Sequence, residues 1–436
     1  MDFVVIGGGA AGMAAASKAK RENPSSNVIV VEKGEYVSYA ECGIPYYLGG
    51  MVNDLRRLIH YPLEEFTVKR GIKVIRNRSV RKIIPANSSI ILDNGDSMHY
   101  DSLLLATGAS PIVPEEFRGS GAMAIRSLED AAFAKSALGH GERVCVIGDG
   151  TLGMELASEL TVSGKMVTLI SKHETVFPRI YSDVGEKMRQ VFLDRIRVIH
   201  SARVDAISRS GSGIEVSFEG HRETFDAVFT AVGIEPNSSL ARDAGIRQGS
   251  HGAVSTDDGM RTSETGIFAA GDCATVRNSV TGKEDWMPLA QISNKCGRVA
   301  GSNAVGGNMK FPGAVGTTLV KIFDFEVGYT GITETEAHRA GFDTDRIFVK
   351  AKSKAAYYSG GEDVYVSLLL EKKSRKLLGA QVISKDTGAW RLNALALAVQ
   401  QGITAEDLLF ADFGYSPPFG PVWDPIIIAG SVGMRD

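Results

Sequence analysis

The sequence predicts an α/β protein with two Rossmann-like dinucleotide-binding domains followed by a C-terminal α+β domain. Two observations predict the Rossmann-like domains: an apolar strand, a glycine turn and a helix follow one another near the start of the chain and again near residue 144. A third observation predicts the last domain, because residues from Phe311 onward lack a glycine fingerprint and contain alternating apolar runs. With 436 residues, the chain is long enough for two or three domains.

The first glycine turn comes directly after an apolar strand and has the pattern G-x-G-x-x-G. Gly7 turns the chain, Gly9 allows a pyrophosphate to approach the backbone, and Gly12 allows the following helix to pack on the strand. The next strand ends at Glu32, whose carboxylate can accept a hydrogen bond from a ribose hydroxyl. The predicted contacts with the first dinucleotide are Gly7, Gly9, Ala11, Gly12, Glu32 and Lys33.

The second glycine turn repeats this pattern after a strand at residues 144–147. At the end of its second strand the chain has Ser171, Lys172 and His173, where an acid would hold the ribose of NAD. A hydroxyl and two basic side chains suit a 2′-phosphate better than a 2′-hydroxyl, so we expect NADPH in preference to NADH. If these side chains only lie on a solvated turn, dual specificity is expected. The predicted contacts are Gly148, Gly150, Leu152, Gly153, Glu155, Ser171, Lys172, His173 and Gly233.

Two dinucleotide sites in one chain predict an electron relay, in which a nicotinamide delivers hydride to a flavin that stays bound. Residues 103–108 return the chain to the first site, and residues 262–272 end at an acid suited to the ribityl chain of a flavin. A helix expected at residues 291–299 would direct its N-terminus at the flavin and stabilise negative charge there. The additional FAD contacts predicted are Ala106, Thr107, Gly108, Asp272, Leu289 and Ala290.

Cys42 lies in the segment that follows the first dinucleotide unit, where its sulfur would be beside the flavin. A thiol at this position can pass electrons to a sulfur or oxygen substrate. Pro45 is tolerated in the first turn of a helix, whose oriented amides would stabilise the reactive thiolate. The other three cysteines show no metal-ligand spacing and no C-x-x-C motif, so we interpret them as core residues and predict no metal site.

These motifs, in this order, resemble those of the flavoprotein disulfide reductases with two dinucleotide domains, over essentially the whole chain. Members with a C-x-x-x-x-C motif have a second cysteine where this chain has Tyr47. The chain is therefore similar to the single-cysteine branch, which contains coenzyme A disulfide reductases, NAD(P)H oxidases and peroxidases, and polysulfide or persulfide reductases. Ala10 and Ala11 stand where peroxidases and water-forming oxidases have a histidine, which argues against peroxide chemistry. Without a resolving thiol, Cys42 would form a mixed disulfide, a persulfide or a sulfenic acid.

The resemblance also implies an obligate homodimer in which tyrosines reach the active site of the other subunit. The pair Tyr357 and Tyr358 and the segment beginning at Tyr415 match the family's tyrosine motifs, and one of these hydroxyls would protonate the leaving thiolate. Two departures argue against coenzyme A as substrate, since Glu41 replaces an asparagine and Trp423 replaces a basic residue. The predicted substrate contacts are Lys18, Arg21, Ser38, Glu41 and Asn294.

We assign residues 1–110 and 240–312 to the FAD domain, residues 111–239 to the NAD(P) domain and residues 313–436 to the dimerisation domain. Mixed charges, 48 basic and 51 acidic, exclude a basic face for nucleic acid or a membrane surface. No apolar run approaches the roughly 18 residues of a transmembrane helix, and the chain begins directly with a strand, so we expect a cytoplasmic protein.

The predicted function is an FAD-dependent NAD(P)H:disulfide oxidoreductase that reduces coenzyme A disulfide, or a related persulfide or polysulfide, through Cys42. One alternative is an NAD(P)H oxidase that reduces dioxygen at the flavin. Another is a flavin-bound redox sensor, although a complete hydride route together with a redox thiol favours turnover.

Overall fold

Two parallel sheets, each covered on both faces, carry the two glycine turns. The computed structural model describes residues 1–139, 141–177, 179–181, 184–186, 195–211 and 213–434. The first parallel sheet has the strand order Ile267–Ala269, Ser102–Leu105, Asp2–Ile6, Asn27–Val31 and Lys73–Ile75. Most side chains of its central strands are buried, as expected for a parallel sheet covered from both sides.

Helices Ala10–Glu22 and Ala290–Ala304 cover one face of the first sheet. They approach closely, because a Cβ atom on Gly297 would overlap the backbone of Ala11. In the same way Gly301 meets Ala15, so the two helices run in the same direction and direct their N-termini to the same edge of the sheet. The other face is covered by the antiparallel strands Val80–Ile84, Ser89–Leu92 and Ser97–His99 and the helix Ser239–Asp243.

The second parallel sheet repeats this architecture on a smaller scale. Its strand order is Arg197–Ile199, Met166–Ile170, Arg143–Ile147 and Ala227–Thr230. Helices Leu128–Leu138 and Thr151–Val162 cover one face, and the antiparallel strands Val204–Ser210, Gly213–Phe218 and His221–Phe225 cover the other. The connections between the two sheets pair as the short strands Ala109–Pro111 and Ile234–Pro236.

The C-terminal domain is built on an antiparallel sheet of order Thr318–Ile322, Phe325–Gly331, Leu377–Ser384, Asp363–Glu371 and Thr344–Lys352. Its helices are Glu334–Ala340, Leu392–Gln401, Ala405–Leu409 and Pro425–Gly433. The antiparallel sheet and the helices packed with it confirm the α+β domain that the sequence predicts here. A small hairpin, Val276–Arg277 with Glu284–Asp285, lies outside the three large sheets.

The first parallel sheet takes its strands from residues 2–105 and 267–269. The second parallel sheet takes them from residues 143–230, and the antiparallel sheet of the C-terminal domain from residues 318–384. The domain boundaries at residues 110, 240 and 312 stay predictions. In the part of the chain that the structure describes, every helix is too short or too polar to cross a membrane.

Candidate active site

The first glycine turn has the geometry that a bound pyrophosphate requires. Gly7 has a φ of 106°, a conformation that favours glycine, and a Cβ atom on Gly12 would overlap the carbonyl oxygen of Gly7. At Gly9, in contrast, an added Cβ atom would meet nothing within 4 Å. The side of the turn at Gly9 is therefore open, and the helix that starts there has no side-chain cap on its amide groups.

Glu32 joins the end of the second strand to this turn. One carboxylate oxygen accepts a hydrogen bond from the Gly8 amide at 2.6 Å, and the other accepts one from the Gly34 amide at 2.7 Å. Each carboxylate oxygen has two acceptor sites, so Glu32 retains the capacity to accept a ribose hydroxyl. The neighbouring Lys33 is exposed. The first turn and Glu32 thus fit the adenosine and pyrophosphate parts of FAD.

Asn237 holds the segment that closes the first site. The Thr107 hydroxyl donates to the carbonyl oxygen of Asn237 at 2.6 Å, and the Asn237 side-chain amide donates to the carbonyl oxygen of Thr107 at 2.9 Å. Gly108 has a φ of 69°, and its carbonyl oxygen accepts from the Asn237 backbone amide. Ala106 is buried beside the first turn. These contacts connect the FAD side of the molecule to the segment that leaves the second sheet.

Arg126, a residue that no sequence motif points to, lies between two carboxylates of the candidate site. Its guanidinium donates to Asp272 at 2.9 Å and forms an ion pair with Glu41 at 3.1 Å. The other carboxylate oxygen of Asp272 accepts from the Ser293 hydroxyl at 2.8 Å. Burial raises the pKa of Glu41 to about 7, and Arg126 only partly opposes this rise. A lone arginine between two motifs carries no sequence signal for this bridge.

Leu289 is the N-cap residue of the helix Ala290–Ala304, and its side chain makes no capping hydrogen bond. Helices elsewhere in the chain begin with capping boxes at Ser127, Thr333 and Thr404, which occupy the first amide groups. The amide groups after Leu289 therefore remain available to a ligand at the helix N-terminus, the place where the sequence predicts the flavin. Ala290 is exposed at this end.

Cys42 is the exposed cysteine, whereas Cys145, Cys273 and Cys296 are buried free thiols. It lies in a 3-10 turn, Glu41–Gly43, that leads into the helix Ile44–Leu48, with proline at its second position as predicted. Partial burial of the thiol, followed by the Glu155 and Glu41 carboxylates, raises the pKa of Cys42 above its ordinary value. The expected stabilisation of the thiolate by the helix amides is outweighed by this burial and by the two nearby carboxylates.

Glu155 and Tyr46 form a second group of proton-carrying side chains near Cys42. The Tyr46 hydroxyl donates to a Glu155 carboxylate oxygen at 3.3 Å. Burial raises the pKa of Glu155 to about 7, and the hydrogen bond from Tyr46 partly opposes this rise. The sequence motifs predict a nucleotide contact for Glu155 and predict no role for Tyr46. The position of Tyr46 four residues after Cys42, in the helix that Pro45 predicts, was the available signal.

The second glycine turn reproduces the first at the backbone level. Gly148 has a φ of 107°, a Cβ atom on Gly153 would overlap the Gly148 carbonyl oxygen, and the position of Gly150 is open. Leu152 is half-buried in the helix that follows. Gly233, with a φ of 128°, accepts a hydrogen bond from the Ile112 amide. This second turn fits the pyrophosphate of a pyridine nucleotide.

The side chains at the end of the second strand differ from the expectation of an open 2′-phosphate site. Ser171 is fully buried, and its hydroxyl donates to Asp149 at 2.8 Å. His173 contacts the same carboxylate through Nδ1 at 3.0 Å. Lys172 alone among the three predicted residues is exposed. NADPH binding by these three side chains stays a prediction, and two of them contact an acid.

The predicted substrate residues each contact a different partner within the chain. Lys18 forms an ion pair with Glu22 at 2.7 Å, while Arg21 is exposed at the end of the same helix. Ser38 contributes its backbone amide to the Gly8 carbonyl oxygen at 2.9 Å. Asn294 is exposed and accepts a hydrogen bond from Arg298. A phosphate that binds Lys18 has to compete with Glu22.

The predicted tyrosines form a pair on the surface of the C-terminal domain. The hydroxyls of Tyr357 and Tyr415 lie 2.9 Å apart and share a hydrogen bond, which raises the pKa of Tyr415. These two side chains are 77% and 47% exposed, and Tyr358 is also exposed. A backbone hydrogen bond between Ala355 and Pro417 holds the two loops together.

Comparison with known proteins gives the family context of these groups. The model of the pyridine nucleotide-disulphide oxidoreductases matches residues 1–297, and the model of their dimerisation domain matches residues 317–425. The NAD(P)H coenzyme A polysulfide/persulfide reductase of Pyrococcus horikoshii is 37% identical over 438 residues, which cover 98% of this chain and 97% of that protein. The coenzyme A disulfide reductase of Staphylococcus epidermidis is 28% identical over 439 residues, with 98% of each chain covered.

Among solved structures, the NAD-dependent persulfide reductase from A. fulgidus is similar over the whole chain. The TM-score is 0.96 at 33% identity, and the match covers 100% of this chain and 83% of that chain. The predicted fold, with two dinucleotide-binding domains and a dimerisation domain, is confirmed by these comparisons and by the three sheets.

Proposed function

Since the chain belongs to the pyridine nucleotide-disulphide oxidoreductase family, we propose that it reduces a small sulfur substrate through the thiol of Cys42. As a member of this family, the protein is an NAD(P)H-dependent flavoprotein oxidoreductase. The observation that carries the proposal is the exposed Cys42 thiol, which lies close enough to Glu41 and Glu155 for both carboxylates to raise its pKa. Relatives named as coenzyme A disulfide and polysulfide/persulfide reductases support coenzyme A disulfide, a persulfide or a polysulfide as the substrate.

In this proposal the first turn, Glu32 and the uncapped helix at Leu289 hold FAD, and the second turn holds the pyridine nucleotide. When bound, FAD would carry two electrons from the nicotinamide to the sulfur centre. Asp272 would contact the flavin side chain, and Arg126 would hold the Asp272 carboxylate in place through the 2.9 Å hydrogen bond. The same guanidinium ties the flavin contact to Glu41, the residue directly before the redox thiol.

Cys42 performs the sulfur step. Its thiolate attacks one sulfur of a disulfide RSSR, so that a bond from Cys42 to sulfur forms, the substrate S–S bond breaks and one thiolate leaves. Two electrons from NAD(P)H then cleave the mixed disulfide, which releases the second thiol and restores the Cys42 thiolate. The net reaction consumes one RSSR, one NAD(P)H and one proton and yields two RSH and NAD(P)⁺.

Two groups are available to carry the proton for the leaving thiolate. Within the chain, Glu41 and Glu155 both have pKa values raised to about 7, which suits proton transfer near neutral pH. From the partner subunit of a homodimer, the hydrogen-bonded pair of Tyr357 and Tyr415 would present an exposed hydroxyl. The family's dimerisation domain supports this arrangement.

The test is anaerobic consumption of NADH and NADPH by purified, FAD-loaded protein, with coenzyme A disulfide, glutathione disulfide, cystine and polysulfide offered separately. Selective turnover of coenzyme A disulfide or polysulfide is expected, and Cys42→Ser should abolish it. Cys296→Ala, which removes a buried thiol, should retain turnover and is the matched control. If every sulfur acceptor fails and NAD(P)H is consumed only after air is admitted, the chain is an oxidase and the proposal is wrong.

A further inference from the structure

In each of the two nucleotide units, a carboxylate lies where the glycine turn meets the end of the second strand, a place that we call the corner of the unit. The two units take this carboxylate from different parts of the chain. In the first unit, the acid is Glu32, the residue directly after the strand Asn27–Val31. Its two oxygens accept from Gly8, in the glycine turn, and from Gly34, two residues farther along the chain. Glu32 thus reaches from the end of the strand back to the turn.

In the second unit, the residue directly after the strand Met166–Ile170 is Ser171, which has no charge. The glycine turn itself supplies the acid, since Asp149 stands where the first turn has Gly8. The Asp149 carboxylate accepts from the Ser171 hydroxyl at 2.8 Å and contacts His173, two residues farther along, at 3.0 Å. Asp149 therefore reaches from the turn out to the end of the strand and connects the same places as Glu32.

We propose that Asp149 replaces the missing strand-end acid in the NAD(P) unit and makes the protein prefer NADH to NADPH. An acid at this corner favours a ribose with a free 2′-hydroxyl, which can donate to it. A 2′-phosphate carries negative charge of its own, and like charges placed close together disfavour binding. The side chain of Asp149 is only 4% exposed, so water screens its charge weakly.

Two of the three side chains at the end of this strand are already in contact with Asp149. The Ser171 hydroxyl and the Nδ1 atom of His173 both contact Asp149, so neither atom is available to a phosphate. Lys172 is exposed, and the exposed acid Glu174 lies two residues farther along. The inference rests on the pyridine-nucleotide oxidation of the proposed function, and it is independent of which sulfur compound is reduced.

The test uses the FAD-loaded protein without any sulfur acceptor. Anaerobic reduction of the flavin is monitored as the loss of its absorbance at increasing concentrations of NADH or NADPH. Calorimetry gives the dissociation constants of NAD⁺ and NADP⁺. We expect a preference for NADH and NAD⁺ of at least about tenfold. Asp149→Asn keeps an acceptor for Ser171 but removes the charge, and it should reduce the preference by about tenfold, mainly by improving NADPH.

Asp226→Asn is the matched control, because Asp226 accepts from the Glu142 and Arg143 amides at the opposite end of the same sheet. It should leave the ratio of NADH to NADPH unchanged. The inference is overturned if the unaltered protein prefers NADPH or does not discriminate, a result that needs no variant to fold. It is also overturned if Asp149→Asn keeps the full preference. Should neither nucleotide reduce the flavin, the proposed function fails, while the two dissociation constants still decide the inference.

Discussion

The hydroxyl of Tyr46 donates a hydrogen bond to the carboxylate of Glu155, and this contact joins the helix after Cys42 to the helix of the second glycine turn. The hydrogen bond lowers the pKa of Glu155 against the larger effect of burial. Removing the bond by Tyr46→Phe should therefore raise this pKa further above 7 and shift the pH profile of turnover to higher pH. Because more of Glu155 then keeps the proton that it donates, we expect turnover at pH 8 to rise by roughly twofold to tenfold relative to the unaltered protein, measured as anaerobic disulfide reduction.

Tyr47→Phe provides the control for this experiment, because Tyr47 is the adjacent tyrosine of the same short helix. Its pH profile should match that of the unaltered protein. An unchanged profile in Tyr46→Phe would show that the hydrogen bond does not influence the proton that limits turnover.

The reactivity of Cys42 should depend more on Glu155 than on Glu41. Both carboxylates raise the pKa of the thiol, and Glu155 has the larger effect of the two. Glu155→Gln should therefore lower the pKa of Cys42 more than Glu41→Gln does. The measurement is the rate of alkylation of the reduced protein by iodoacetamide as a function of pH, with the exposed Glu116→Gln as control. The reverse order of the two variants would contradict this assignment.

Stability should fall as pH rises through the titration of Glu155. Burial raises its pKa from 4.5 to about 7, so the folded protein binds more protons than the unfolded chain between these values. The free energy of unfolding then decreases with pH across this window. Relative to the unaltered protein, Glu155→Gln should gain about 1 kcal/mol between pH 5 and pH 8, after allowance for partial exposure. Urea unfolding of the FAD-loaded protein at both pH values tests this, and Glu116→Gln should show no such gain.

Substitutions at two glycines of the second turn, Gly150 and Gly153, should affect nucleotide binding and stability separately. A Cβ atom at Gly150 meets nothing within 4 Å, whereas one at Gly153 overlaps the Gly148 carbonyl oxygen. Gly150→Ala should keep the melting temperature and weaken NADH binding by about tenfold, because the methyl group occupies space that the pyrophosphate needs. Gly153→Ala should lower the melting temperature by several degrees. Equal effects of both substitutions on melting would contradict this division of roles.

The tyrosine pair can be assigned to one subunit or the other with mixed dimers. Subunits carrying Cys42→Ser and subunits carrying Tyr415→Phe are each expected to be impaired as homodimers. If Tyr415 acts across the interface, a mixed dimer contains one site with both Cys42 and Tyr415 intact, and about half of the full activity returns. If Tyr415 acts within its own subunit, neither site is complete and activity stays low. Purification with two different affinity tags isolates the mixed dimer for this measurement.

The sequence by itself determined the two glycine turns, the strands that flank them and the separate C-terminal sheet, and it singled out Cys42 as the candidate redox thiol. These features are local, since a glycine at positive φ, a strand of apolar residues or a proline at the start of a helix follows from a few neighbouring residues. Gly7 and Gly148 therefore adopt nearly the same conformation in two different domains.

Only the tertiary structure decided the electrostatics of the site. Arg126 meets Glu41 and Asp272, and Tyr46 meets Glu155, across long stretches of sequence. Asp149 meets Ser171 and His173, two of the residues that the sequence predicts to contact a 2′-phosphate. The pKa of a buried group depends on desolvation and on charges brought close by folding, and neither quantity is encoded in the residues next to it.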